Sequence, residues 1–105
     1  MTDAIQVTTT TGSKEDAERI ARHLVERRLA ACVQVSGPIS SSYRWQGAIE
    51  SAEEWRCVVK TRRGLYDEVE RAIRDAHPYE TPEILAVAVT EASSDYLAWI
   101  ERETG

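Results

Sequence analysis

The chain begins with an alternating pattern of apolar and polar residues and then changes to a helical spacing. Ile5, Val7 and Thr9 alternate with Gln6, Thr8 and Thr10, and this alternation predicts a short strand. Thr11-Gly12 ends the strand, and Ser13 with Asp16 forms the S-x-x-D pattern that begins a helix. This helix is predicted to run from about 14 to 29. One apolar face recurs along it, formed by Ala17, Ile20, Ala21, Leu24 and Val25.

Two further strands are predicted to form an unusually long hairpin. The first begins at Cys32 and continues to Trp45, with a bulge or edge at Gly37-Pro38 because proline cannot donate a ladder hydrogen bond. Gln46-Gly47 predicts the turn, since glycine takes positive φ freely. The chain then returns as a strand over residues 48–61. The outer half carries large side chains beyond the reach of a core formed by 105 residues: Tyr43, Trp45 and Ile49.

The last third of the chain predicts a helix, a strand and a short helix. The second helix has an apolar face formed by Leu65, Val69, Ala72, Ile73 and Ala76. It ends before Pro78, because the residue before a proline is pushed out of the α region. A fourth strand follows over residues 84–90. Ser93-Ser94-Asp95 can cap a short final helix that contains Tyr96, Leu97, Trp99 and Ile100.

The order β-α-β-β-α-β plus one short helix predicts a single α+β domain over residues 1–105, with a ferredoxin-like split β-α-β fold. Right-handed crossovers place both main helices on one face of the sheet. The fourth strand is apolar on both faces, with Leu85, Val87 and Val89 on one and Ile84, Ala86 and Ala88 on the other. A strand with one face in water alternates more clearly. The small residues of the second row and the long hairpin predict a homo-oligomer. The alternative is a monomer in which the final helix covers part of the sheet.

Charge and composition argue against several classes of partner. Thirteen Lys and Arg residues stand against eighteen Asp and Glu residues, for a net charge of -5, which does not suit a nucleic-acid surface. No apolar run approaches the ~20 residues of a membrane span. The N-terminal MTDAIQV lacks the pattern of a secretory signal. We therefore expect a cytoplasmic protein that binds neither nucleic acid nor membrane.

The two cysteines are predicted to be free thiols. With the hairpin turn at 46–47, Cys57 opposes a residue near Val35, about three positions from Cys32. At ~3.3 Å per residue this separation is near 10 Å. A disulfide needs Cα atoms within ~7 Å of each other.

The segment HPYETPEI concentrates candidate chemistry between and beside Pro78 and Pro82. The two prolines hold it extended, so its side chains lose little entropy on binding. It is interpreted as a ligand or metal site built from His77, Tyr79, Glu80 and Glu83. The alternative is a rigid connection in which a histidine caps the helix and a tyrosine packs.

A second group of candidate residues lies on the hairpin and the sheet. Lys60 stands beside apolar Val58 and Val59, and a lysine there should be paired or face a cavity. If the hairpin of one subunit lies over its neighbour, a shared cleft forms that suits a small anion or a metal ion. The residues expected there are Tyr43, Trp45, Glu50, Lys60, His77 and Tyr79. The alternative is an interfacial salt bridge between Glu50 and Lys60 among packing aromatics.

Five motifs, in order and spacing, resemble those of the CutA divalent-cation tolerance proteins: LAACVQV, GPISSSYRWQGAIE, VVKT, HPYETPEI and DYLAWI. The resemblance covers nearly the whole chain. It implies a ferredoxin-like homotrimer with interlocking hairpins, similar to the trimer of the PII signalling proteins. It also implies a cytoplasmic location in bacteria and a link to tolerance of metals, chiefly copper.

The resemblance assigns residues to two sites. His77 matches the family's histidine, with Glu80 and Glu83 nearby, and Trp45, Glu50 and Lys60 match its inter-subunit cleft. Some members carry a second histidine where this chain has Ala76, and a cysteine where it has Thr8-Thr9-Thr10. Two of three proposed copper ligands are therefore missing. We expect a non-enzymatic protein with weak binding of Cu²⁺ or another divalent cation at His77, Glu80 and Glu83. The alternatives are a PII-like sensor that binds a small anion at Trp45, Glu50, Lys60 and Tyr79, and an enzyme acting on an anionic substrate.

Overall fold

A computed structural model describes residues 2–105 and places four strands in one antiparallel sheet. The strands are β1 (Ala4–Thr11), β2 (Cys32–Trp45), β3 (Ala48–Arg62) and β4 (Leu85–Ala88). The helices are α1 (Lys14–Glu26), α2 (Tyr66–Ala76) and α3 (Ser94–Glu103), with a 3₁₀ turn at Arg63–Leu65. The strand order β2-β3-β1-β4 is that of the predicted ferredoxin-like fold.

The hydrophobic core lies between the sheet and the helices α1 and α2. Ile5 and Val7 of β1 stand opposite Thr61 and Val59 of β3, and all four side chains are buried. They pack against a row from the two helices that includes Ile20, Leu24, Val69 and Ile73. The opposite side of the sheet, here called the open face, carries Gln6, Thr8, Val58, Lys60, Leu85 and Val87.

The first helix begins as predicted but ends earlier. The Ser13 side chain accepts a hydrogen bond from the backbone N–H of Asp16, as the S-x-x-D pattern indicates. The helix ends at Glu26 instead of about residue 29. Arg28 has a φ of 59°, and the backbone N–H groups of Leu29 and Ala30 both donate to the carbonyl of Leu24. This left-handed turn closes the helix, so Leu29 can reach the core.

The hairpin is as long as the sequence predicts. Its strands pair from Cys32 opposite Lys60 out to Trp45 opposite Ala48, with a register shift between Ser36 and Ile39. This shift is the bulge predicted at Gly37-Pro38. Gln46 and Gly47 both have positive φ, at 48° and 81°, as expected for a tight hairpin turn. The hairpin extends a molecule of 45 × 26 × 22 Å along its long axis, and Ile49 near its tip is 72% exposed.

The fourth strand is shorter than predicted and forms an edge of the sheet. It covers Leu85–Ala88, although Val89 still donates a backbone hydrogen bond to Ala4. Ala86 and Ala88 stand opposite Val7 and Ile5 on the helix side, whereas Leu85 and Val87 lie on the open face. All four residues are exposed, so residues 2–105 leave both faces of β4 largely uncovered.

The two cysteines are free, as the sequence predicts. Cys57 stands opposite Val35, and Cys32 stands opposite Lys60. Cys57 is fully buried on the helix side, where its Sγ lies 3.5 Å from the carbonyl oxygen of Ala17. Cys32 shares the open face with its partner Lys60, because paired residues lie on the same side of a sheet. Cys57 lies on the helix side, so the two thiols point to opposite sides of the sheet.

The final helix packs at one end of the sheet. Ile100 is buried, and Arg62 Nε donates to Thr104 Oγ1 at 3.0 Å. Of the predicted capping residues Ser93, Ser94 and Asp95, Ser93 makes no capping hydrogen bond, whereas Asp95 Oδ1 accepts the backbone N–H of Tyr96 at 3.0 Å. Over residues 2–105, none of the helices has the length and apolar character needed to cross a membrane.

Candidate functional site: an acidic cleft beside the hairpin

A cleft of about 760 Å³ lies between the outer hairpin and the segment that leads into β4. We call it the acidic cleft, because Glu50, Glu54, Glu80 and Glu83 line it and no lysine, arginine or histidine among residues 2–105 does. Its other lining residues are aromatic, hydroxyl-bearing or cyclic: Thr10, Ser41, Ser42, Tyr43, Trp45, Tyr79, Thr81 and Pro82. Residues 2–105 therefore place carboxylates and aromatic rings, but no basic side chain, along one concave surface.

His77 lies behind this cleft and is held by both of its ring nitrogens. Nδ1 accepts the backbone N–H of Tyr79 at 3.1 Å, and Nε2 lies 2.7 Å from the carbonyl oxygen of Thr10. Since Nδ1 accepts, the proton is on Nε2, which donates to the carbonyl. The side chain is buried, so these bonds tie the start of the segment to the end of β1. The predicted capping role of His77 is wrong, because its ring bonds to β1 and to the Tyr79 backbone instead of to the carbonyls at the end of α2.

Two contacts and a neighbouring glycine hold the Tyr79 side chain beside the end of β1. Its ring lies 4.8 Å from the His77 ring, centroid to centroid. Its hydroxyl donates to Glu54 Oε2 at 2.9 Å. A Cβ added at Gly12 would lie only 3.1 Å from the Tyr79 hydroxyl oxygen, so the glycine leaves room for the phenol. Burial, together with the neighbouring Glu54 carboxylate, raises the pKa of Tyr79 to about 12.

The hairpin brings its aromatic and acidic side chains onto one face. Tyr43 stands directly opposite Glu50, and Ile39 stands opposite Glu54. Residues two apart on a strand share a face, so Tyr43 and Trp45 lie on the same side as Glu50 and Glu54. Directly opposed Cβ atoms in an antiparallel pair are about 5 Å apart. The sequence therefore sets an aromatic row beside an acidic row by strand register alone.

The predicted metal residues are only partly brought together. Glu80 and Glu83 line the acidic cleft, but His77 has both nitrogens engaged elsewhere. Among residues 2–105, no three His, Cys, Asp or Glu side chains are placed to ligate one ion. A copper site in which His77 supplies nitrogen would require the ring to release Tyr79 or Thr10. These residues do not fit a preformed copper site, and metal binding at them stays a prediction.

The predicted anion-binding residues divide between two places. Trp45, Glu50 and Tyr79 line the acidic cleft, whereas Lys60 lies on the open face between Gln6 and Cys32. Lys60 and Glu50 are ten positions apart on β3, which is roughly 33 Å of extended chain. They cannot pair within one chain. An anion site that uses Lys60 needs a second chain to bring the two together, and it stays a prediction.

Three contributors to the site were missed from the sequence. Glu54 is only 9% exposed and accepts a hydrogen bond from the Tyr79 hydroxyl. Gly12 leaves space for the Tyr79 phenol, and the Thr10 carbonyl accepts a hydrogen bond from the His77 imidazole. Glu54 lies four positions from Glu50 on β3, so strand alternation could have predicted that both side chains share one face. No local signal marks Gly12 or Thr10, because their partners are more than 60 positions away along the chain.

Comparison with known proteins gives a consistent result across sequence and structure. The family model described as CutA1 divalent ion tolerance protein matches residues 5–103. A divalent-cation tolerance protein CutA from Thermus thermophilus is 40% identical over 96 residues, which cover 91% of this chain and 93% of the relative. A second, from Archaeoglobus fulgidus, is 42% identical over 92 residues, which cover 88% and 89% of the two chains.

Solved structures agree over almost the full length. CutA from Xylella fastidiosa superposes with a TM-score of 0.96 at 36% identity and covers 99% of this chain and 100% of its own. The Archaeoglobus fulgidus structure, with a TM-score of 0.92 at 39% identity over 95% and 97% of the two chains, is described as a periplasmic divalent cation tolerance protein. The cytoplasmic location expected for this chain therefore stays a prediction. By the family match over residues 5–103, this chain belongs to the CutA1 divalent ion tolerance protein family.

Proposed function

We propose that this chain acts in the response to divalent metal ions as a homotrimer, by binding a divalent cation weakly instead of catalysing a reaction. The observation that carries the proposal is the acidic cleft, which four carboxylates line and no basic side chain from residues 2–105 lines. Uncompensated carboxylates attract cations, and oxygen ligands suit hard divalent ions.

The geometry of the carboxylates favours weak binding of a hydrated ion. Glu80 and Glu83 are both exposed; Glu80 lies between Pro78 and Pro82, and Glu83 directly follows Pro82. Since no set of three ligands is preformed among residues 2–105, an ion bound there keeps most of its water. Mg²⁺-like ions are commonly held in this way, through one or two carboxylates. Cu²⁺ prefers nitrogen, and its binding would have to compete with the two hydrogen bonds of His77.

The trimer is supported by the surfaces that the single chain leaves uncovered. Leu85 and Val87 on the open face are 47% and 52% exposed, and they lie on the edge strand β4. Ile49, near the hairpin tip, extends away from the core. Apolar rows on a strand edge usually lie at interfaces, because exposed they invite non-specific pairing.

Isothermal titration with Cu²⁺, Mn²⁺ and Mg²⁺ tests the metal proposal. We expect saturable heat that is strongly reduced in the double variant Glu80→Gln/Glu83→Gln. The matched control is Glu91→Gln/Glu101→Gln, which removes the same charge at exposed positions outside the cleft and should bind as the wild type does.

The variant His77→Ala separates the two modes of metal binding. If the carboxylates bind the ion, this variant keeps its affinity for Mn²⁺. Loss of Cu²⁺ binding alone would assign a separate nitrogen site to His77. Equal binding by the wild type and the Glu80→Gln/Glu83→Gln variant for every ion would contradict the proposal.

A further inference from the structure

We propose that the hydrogen bond between Tyr79 and Glu54 is a clamp that holds the outer hairpin at a fixed angle to the sheet before a second chain binds. The outer hairpin, here called the arm, comprises residues 39–53. Tyr79 is then a positioning residue for assembly. The inference rests on the homotrimer proposed above and adds the contact that prepares a single chain for it.

The arm has little support from the rest of its own chain. None of its residues is buried, and among residues 2–105 it forms no salt bridge. The side-chain hydrogen bond that it does make joins Ser42 to Ser51 within the arm itself. A cleft of about 760 Å³ separates it from the segment that leads into β4. Its direction therefore depends on the strands that continue into it and on the contacts at its root.

The root of the arm is an irregular point in the strand pairing. The register shifts between Ser36 and Ile39, so that two residues of β2 stand opposite Trp55 of β3. A bulge of this kind interrupts the ladder and bends the strand. A Cβ added at Gly37 would lie 2.6 Å from Trp55 Cδ1, so the tryptophan ring lies directly against the backbone there. The joint is therefore closely packed on the face that Trp55 occupies.

Glu54 and Tyr79 close the opposite face of the joint. Neighbouring residues of a strand point to opposite faces, so Glu54 and Trp55 lie on different sides of the hairpin. Glu54 is the outermost buried residue of β3, and its Oε2 accepts the Tyr79 hydroxyl at 2.9 Å. Among residues 2–105, no other hydrogen bond ties the hairpin beyond the bulge to another part of the chain.

The clamp is itself anchored to β1. The backbone N–H of Tyr79 donates to His77 Nδ1, and His77 Nε2 donates to the carbonyl oxygen of Thr10. Three hydrogen bonds therefore connect the end of β1 to the root of the arm. An arm that is held in one direction loses less orientational freedom when a second chain binds. The clamp should therefore strengthen assembly without contacting the second chain.

Spin-label distances within one chain test whether the clamp fixes the arm. One label is attached at Arg44→Cys on the arm and the other at Glu18→Cys on α1, and both positions are exposed. Cys32 is replaced by serine, and Cys57 stays unlabelled because it is buried. The width of the distance distribution then reports how freely the arm moves relative to the rest of the chain.

The labelled chain also carries Leu85→Asp/Val87→Asp, so that no second chain holds the arm, and sedimentation gives the mass of each sample. We expect a narrow distribution with the clamp intact and one at least about twofold wider in Tyr79→Phe, which removes only the hydroxyl. The matched control is Tyr96→Phe. Tyr96 is 38% exposed, as Tyr79 is, but its hydroxyl makes no hydrogen bond among residues 2–105, so its variant should keep the narrow distribution.

Variants of Glu54 separate the hydrogen bond from packing. Glu54→Gln retains an oxygen that accepts the Tyr79 hydroxyl, and it should keep the distribution narrow. Glu54→Ala removes the acceptor and should widen the distribution as Tyr79→Phe does. Equal widths for Tyr79→Phe and Tyr96→Phe, in samples with the mass of one chain, would overturn the inference.

Assembly of chains that retain Leu85 and Val87 gives a second measurement. We expect the dissociation constant of Tyr79→Phe to be at least about fivefold higher than that of Tyr96→Phe. If the doubly charged background stays assembled, this comparison decides, and equal constants overturn the inference. A wild-type chain that sediments alone contradicts the homotrimer, whereas the distance distributions still test the clamp, so the two failures are distinguishable.

Discussion

His77 stabilises the fold through both of its ring nitrogens, and replacing it should have a measurable cost. His77→Ala leaves the Thr10 carbonyl and the Tyr79 N–H without their buried partners. Loss of such a bond usually costs about 1–3 kcal/mol of unfolding free energy. Denaturant unfolding at a fixed protein concentration measures this loss.

The control for that substitution is His23→Ala. His23 is exposed on α1, so its replacement should change the unfolding free energy by less than about 0.5 kcal/mol. Equal effects of the two substitutions would show that the His77 hydrogen bonds contribute nothing specific.

Tyr79 gives a prediction for alkaline pH. Its pKa of about 12 in the folded chain lies above the ordinary value near 10, because burial and the Glu54 carboxylate disfavour the phenolate. The neutral phenol therefore stabilises the fold fully below about pH 10, and this contribution is lost as the pH rises towards 12.

The measurement compares unfolding free energy with pH in the wild type and Tyr79→Phe. We expect the variant to lose less stability between about pH 10 and 12, since it has no phenol to ionise there. Parallel curves for the two proteins would show that Tyr79 ionises equally in the folded and unfolded chains.

At the scale of single residues, the sequence identified the segment correctly but not the directions of its side chains. Tyr79, Glu80 and Glu83 do line a cleft. The extended conformation predicted from the two prolines is wrong, because the chain bends at Tyr79, Glu80 and Thr81. The inward turn of His77 could not be predicted, because its acceptor is the backbone carbonyl of Thr10, 67 positions away. Every residue type has such a carbonyl, so no sequence pattern marks it.

Among the elements, β3 carries a thiol that helix α1 should protect. Cys57 lies on the helix side below Ala17, and burial raises its pKa to about 11, so little thiolate forms at neutral pH. In a Cys32→Ser variant, the remaining thiol should react with a thiol reagent only after unfolding. The control is the same protein in denaturant, where one thiol per chain should react. Rapid reaction of the native variant would show that α1 opens from the sheet.

Helices and strands with a regular spacing of apolar residues were predicted well, but the residues at which they end were not. The hairpin register followed from the turn at Gln46-Gly47, which placed Cys57 opposite Val35. Helix α1 ends three residues early because Arg28 takes a left-handed conformation that an arginine does not signal. Strand β4 covers only Leu85–Ala88, and within the described part of the chain it pairs with β1 alone.

The whole molecule leaves the open-face side chains of β4 uncovered, and charging them should prevent assembly. In Leu85→Asp/Val87→Asp, two half-exposed apolar residues become charged on the edge strand. We expect the oligomer to dissociate, because burying unpaired carboxylates in an interface is costly. The control is Val25→Asp, at a 43% exposed position on α1, which should leave the mass unchanged. Identical masses for both variants would remove β4 from the proposed interface.

Assembly into a homotrimer would explain both the long hairpin and the uncovered face of the sheet. Sedimentation equilibrium at low micromolar concentration tests this assembly most directly. The account predicts a single species with three times the mass of the 11.8 kDa chain. A folded species at the mass of one chain would contradict it.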